Sequence, residues 1–103
     1  MLQIYFYVPE SHLEIVKNAM FEAGAGKIGN YGHCSWQVLG QGQFKPLEGS
    51  EYFIGEMGKV GKIPEYKVEM VCDHDHIGAV IDALKKAHPY EEPAYQVIRL
   101  GMA

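Results

Sequence analysis

Cysteine is scarce in this chain. Cys34 and Cys72 are isolated, and no CxxC pair occurs. A disulfide framework and the standard zinc patterns are therefore not indicated, and two small, reduced, buried thiols are the plainer expectation. Positive charge is also sparse. The nine Lys and Arg residues are spread along the chain, with only Lys85-Lys86 adjacent, and the formal net charge is −4. Nucleic-acid binding, which needs clustered cations to displace counterions, is not expected. No apolar run approaches the ~20 residues of a membrane span. The opening residues alternate Ile4, Phe6 and Val8 with Gln3, Tyr5 and Tyr7, which is strand periodicity and not a secretory core. The expectation is a cytoplasmic protein with no membrane partner. Low-complexity tracts and linkers are missing too, so residues 1–103 read as a single domain.

Catalytic sets are equally thin. Ser11, Ser35 and Ser50 lack a nucleophile-elbow context. Glu91 and Glu92 are adjacent, so their side chains diverge and do not flank one bond. Nucleophile, base and oxyanion donors are nowhere grouped. The residues predict a non-enzymatic domain.

What is present is a regular alternation of elements. Leu2 to Val8 forms a first strand, ended by Pro9. Ser11 and Glu14 make a capping-box pattern for a helix of about Ser11 to Ala23, with Gly24 as its left-handed stop. A second strand is expected over about His33 to Leu39. The segment Gly40 to Glu65, rich in Gly and Pro, reads as a strand end, a long loop and a short hairpin; so long a loop in a small domain is usually functional or an oligomer contact. Tyr66 to Cys72 is a third strand. Asp73 or Asp75 caps a second helix striped by Ile77, Val80, Ile81 and Leu84, with Lys85, Lys86 and His88 at its negative end. Pro89 stops it, and Tyr95 to Leu100 is the last strand. The order βαββαβ predicts an α+β, ferredoxin-like sandwich: a four-stranded antiparallel sheet, ordered 4-1-3-2, with two helices on one face. The other face, with Tyr5, Tyr7, Trp36 and Val71, is left bare, as in chains that oligomerise.

Two constellations carry chemistry. His88-Pro89-Tyr90-Glu91-Glu92-Pro93 is read plainly as a helix terminator followed by a rigid turn, yet His88, Tyr90, Glu91 and Glu92 are also ligand-binding side chains. Tyr31-Gly32-His33-Cys34 and Asp73-His74-Asp75-His76 fall at the same end of the predicted sheet. His33, Cys34, His74 and His76 together would suit a divalent metal ion such as Zn²⁺ or copper, although their spacing matches no standard zinc site. Tyr31 and His33 join His88 to Glu92 as cleft candidates. Gly24-Ala25-Gly26 and Gly29 follow a helix and precede a strand, the reverse of a dinucleotide fingerprint.

Several ordered motifs carry a resemblance: Gly24 to Trp36, Gly42 to Gly49, Phe53-Ile54-Gly55-Glu56, and Ala83 to Tyr95 with its His-Pro-Tyr-Glu-Glu-Pro core. Across nearly the whole chain they resemble the domain inserted in bacterial members of the Ngg-interacting-factor-three-like family. That inserted domain is similar to the PII signal proteins and the CutA proteins, and CutA proteins carry a turn like His88 to Glu91. The resemblance implies a stand-alone PII/CutA-like signalling domain, homotrimeric with its sheets facing inward. The family's two-metal site belongs to flanking parts outside these motifs and is not carried over. The 40–65 loop lies where PII proteins bind nucleotides but shows no matching ligands. The leading expectation is thus a regulatory homo-oligomer that senses a small ligand or metal ion. The rivals are a structural module that docks on a protein partner and a small metal-dependent hydrolase.

Overall fold

Alternate residues of the first strand are buried without exception, and that rhythm positions everything else. The computed structural model describes residues 1–101. β1 (Leu2–Val8) buries Leu2, Ile4, Phe6 and Val8 on one face. β2 (Trp36–Phe44), β3 (Gly61–Cys72) and β4 (Tyr95–Arg99) join it in one antiparallel sheet ordered β2-β3-β1-β4. α1 (Leu13–Glu22) and α2 (Ile77–Ala87) cover the buried face. Val16 and Met20 from α1 and Val80 and Leu84 from α2 pack there with Phe6, Val68 and Met70. The predicted ferredoxin-like fold and strand order are the observed ones.

Several boundaries differ from the sequence reading. A short 3₁₀ turn, Glu10–His12, precedes α1, and no side-chain cap starts the helix. Ser11 instead sets its hydroxyl 2.8 Å from His12 Nδ1, so the capping box does not form. Neither Asp73 nor Asp75 caps the second helix, whose N-cap is His76 with no side-chain cap bond. Asp73 instead fixes the turn before it, its Oδ1 accepting the His76 N–H at 2.9 Å and lying 2.7 Å from His76 Nδ1. The His76 side chain, more than any other influence, holds the Asp73 carboxyl below its usual range.

The larger correction concerns the middle of the chain. β2 starts at Trp36, not His33, and runs on to Phe44, while β3 begins at Gly61. Their ladder extends from Trp36↔Glu69 to Phe44↔Gly61. Much of the predicted loop is therefore a two-stranded arm that projects past the helices. Its outer part has no core beneath it, so backbone pairing forms it and no hydrophobic alternation announces it.

Gly24 ends α1 with φ +120°, and the Ala25 N–H returns to the Met20 carbonyl at 3.1 Å. A Cβ there would lie 2.6 Å from the His76 ring. Gly24→Ala is expected to lower stability by about 1–2 kcal/mol, from a left-handed backbone and this clash together. Urea unfolding checks it; an unchanged midpoint would contradict the geometry.

The sheet face opposite the helices is uncovered. Neighbouring strands place Trp36, Glu69, Tyr5 and Gln96 in one row and Val38, Lys67 and Tyr7 in the next. The charged side chains on this face have local partners: Glu69 accepts from Gln3 at 2.8 Å, and Lys67 Nζ sits 4.6 Å over the Tyr5 ring. Trp36 remains 58% exposed and Ile98 43%.

Candidate functional site

His88 closes the end of α2. Its N–H still bonds to the Leu84 carbonyl at 2.9 Å, but its own backbone is extended, with ψ 137°. Pro89 cannot continue the helix. The imidazole consequently turns back into the protein, where only 6% of the residue is exposed. Nε2 lies 2.7 Å from the Tyr7 carbonyl, and Nδ1 accepts the Tyr90 N–H at 3.1 Å. These partners assign the neutral tautomer with the proton on Nε2. Burial pushes the imidazole below its ordinary value, and nearby His12 adds to that, with the Tyr7 carbonyl opposing. Both nitrogens are used, so neither is free for a metal or a substrate.

Tyr90 carries the linkage outward. Its ring lies 4.8 Å from the His88 ring and 6.2 Å from Phe53. Its hydroxyl donates to Glu65 Oε2 at 2.9 Å. Burial first, and then the Glu65 carboxylate, push the phenol well above its usual range, so it stays protonated. Glu91 Oε1 accepts the Glu51 N–H at 2.9 Å. One short turn thus fastens the end of β1, the β2–β3 arm and the 45–60 loop.

Between these parts lies a cleft of about 510 Å³. Val38, Phe44, Phe53 and Ile54 give it apolar walls, and Glu65, Glu92 and Ser50 add polar groups. Gly42 allows its close packing, because a Cβ there would collide with the Glu65 carboxylate. An apolar hollow of this size with a few converging polar groups is what small-molecule sites look like.

His88, Tyr90, Glu91 and Glu92 therefore come together. Tyr31 and His33 do not join them. They lie at the opposite end of the sheet, where Tyr31 is 75% exposed in the turn closed by the Ile28↔Tyr31 bridge. His33 has φ 54° and stacks its ring 4.7 Å from Phe21. Cys34 Sγ is directed at the Gly32 carbonyl, and both cysteines are free. Burial, with Asp73 beside it, raises the Cys72 thiol. His76 is near this end, against Gly24. Among the described residues of one chain, no three His, Cys, Asp or Glu side chains converge as metal ligands.

The sequence reading missed Glu65, Phe53 and Gly42. Glu65 lies in a stretch without periodicity, and its partner Tyr90 is 25 residues away. Nothing local marks it.

No family model matches the chain. A GTP cyclohydrolase 1 type 2 homolog of Mycobacterium leprae is 47% identical over 94 residues, covering 91% of this chain and 24% of that protein. The one of Bacillus subtilis is 46% identical over 91 residues, covering 88% and 24%. A Bacillus cereus protein related to NIF3 superposes with a TM-score of 0.83 at 38% identity, over 96% of this chain and 25% of its own. This chain is similar, over nearly its whole length, to one segment of the NIF3-related proteins. It spans about a quarter of the length of the relatives it matches. The same fold recurs in the periplasmic divalent cation tolerance protein CutA of Archaeoglobus fulgidus. There the TM-score is 0.71 at 18% identity, covering 100% of this chain and 87% of that one. It recurs also in the PII-like protein CutA of Nostoc sp., with a TM-score of 0.68 at 18% identity, over 97% and 81%. The two CutA likenesses carry the fold alone. Among the described residues, no helix is long and apolar enough to cross a membrane.

Proposed function

We propose that the chain is a regulatory, ligand-sensing domain that works as a homo-oligomer and does no chemistry itself. The observation that carries this is the uncovered sheet face. Trp36, Val38 and Ile98 stand on it exposed, beside Tyr5 and Tyr7. The two charged side chains among them already have local partners, Glu69 in the Gln3 amide and Lys67 in the Tyr5 ring. A face of this kind is stabilised by covering it, and self-pairing under rotational symmetry is the commonest way. The likeness to PII-like proteins favours three copies with their sheets inward. Mass measurement in solution tests the assembly: a trimer is expected, and a strict monomer at high concentration would sink the reading.

The names of the relatives suggest which ligands to try. CutA is called a divalent cation tolerance protein, and the longer relatives are called GTP cyclohydrolase homologs. A divalent ion held by this domain would draw on His33, Cys34, His74 and His76, with copies sharing ligands because one chain groups too few. Calorimetric titration with Zn²⁺ or Cu²⁺ should then give a saturable heat that His33→Ala abolishes. A flat titration removes metal sensing, and a flat titration with GTP removes that nucleotide as effector. The small-hydrolase alternative predicts turnover that depends on added metal, and the docking-module alternative predicts a monomer.

A further inference from the structure

We infer that the cleft beside His88–Pro93 binds a flat aromatic cation, such as a protonated heteroaromatic amine, in preference to an anion. This rests on the reading of the domain as ligand-sensing and names the chemical class of the ligand.

The walls decide the shape. Phe44, Phe53, Tyr52 and Tyr90 present aromatic surface to one hollow of about 510 Å³. Aromatic faces carry negative charge density and attract cations, most strongly where water is excluded. The charges decide the sign. Three carboxylates line the cleft, those of Glu65, Glu91 and Glu92, against two amines, Lys45 and Lys67. Lys67 Nζ is turned onto the Tyr5 ring. Glu65 already accepts from Tyr90 and Glu91 accepts from the Glu51 N–H, so their negative charges are held in place without a cationic partner. A carboxylate that receives only neutral hydrogen bonds keeps its full attraction for a cation. Among the described residues no arginine lines the cleft, so the bidentate fork that suits phosphate is missing there.

Ser50 supplies an independent observation. Its hydroxyl oxygen is shielded from solvent and has no hydrogen-bond partner, although the residue lines this cleft. Buried hydroxyls without partners are uncommon and carry a desolvation cost. Rotation of the hydroxyl into the cleft, onto a ligand N–H, would relieve it.

The test uses the full chain, labelled with ¹⁵N, and two probes of one shape and opposite charge, benzamidine and benzoate. Benzamidinium should shift the amide signals of Gly42, Ser50, Phe53 and Glu92 saturably, and benzoate should bind at least about tenfold more weakly. Glu65→Gln keeps an acceptor for Tyr90 and removes a charge; it and Glu92→Gln should each weaken benzamidinium several-fold while leaving the remaining spectrum intact. Equal response to both probes, or none at these amides, overturns the inference. So does a shift of these same signals on simple dilution, which would mean that a second copy fills the cleft. Mass measurement on the same samples keeps the two proposals apart. Binding by a monomer upholds the ligand class and removes the assembly, and a trimer that ignores benzamidinium does the reverse.

Discussion

Replacing His88 with alanine is expected to lower the stability of this domain by about 3 kcal/mol, the cost of two broken hydrogen bonds whose partners stay buried. The ring joins the Tyr7 carbonyl to the Tyr90 N–H. Alanine leaves both groups unpaired and opens a void where the imidazole packed on Tyr90. Urea unfolding at fixed protein concentration should show a lower midpoint with an unchanged slope. A loss below about 1 kcal/mol would mean that water replaces the ring.

The same ring predicts how stability varies with pH. Burial holds His88 below its ordinary value of 6.5 in the native state. The unfolded chain therefore takes up its proton first as the pH falls. Stability is fully present above that ordinary value and is lost on descending below it. Protonation would also turn Nδ1 from acceptor to donor, facing the Tyr90 N–H. His88→Ala should flatten the stability profile in this window; equal slopes in the two proteins would count against the assignment.

The second large effect is on assembly. Trp36→Glu should convert a self-associated chain into monomers, because an interface would have to bury an unpaired carboxylate. The monomer itself should lose no more than about 1 kcal/mol, the cost of setting a second carboxylate across from Glu69 on β3. Trp36 is 58% exposed and lies outside the core cluster. Sedimentation at several concentrations would show one species of single-chain mass for the variant. Asn18→Glu, on the exposed side of the helix layer, is the control and should leave association unchanged. If both variants associate equally, the uncovered face is not the interface.

The two predictions draw on different kinds of information. Trp36 could be placed from the sequence, because its alternation with Val38 is local and the βαββαβ order leaves one sheet face without helices. The role of His88 could not. Read along the chain, it is a basic residue at a helix C-terminus, suited to carry charge. In the fold it is neutral and buried, bonded to a carbonyl 81 residues away. The arm is a similar case. Its glycines and proline suggested a loop, but the pairing of Gly42 with Ile63 and Gln41 with Pro64 continues the sheet.

The sequence by itself determined the elements with a core to face: β1, the inner half of β3 and the stripe of α2. Burial imposes a period of two or of 3.6 residues, and that period survives in the residue types. From it the antiparallel sheet with two helices on one side follows. Only the tertiary structure decided where the site lies. It separated Tyr31 and His33 from His88 and Glu91, and it brought Glu65, Ser50 and Phe53 to the turn that begins at His88. Hydrogen bonds between residues far apart in the chain impose no period on it, so the sequence can name the chemistry of such groups but not their partners.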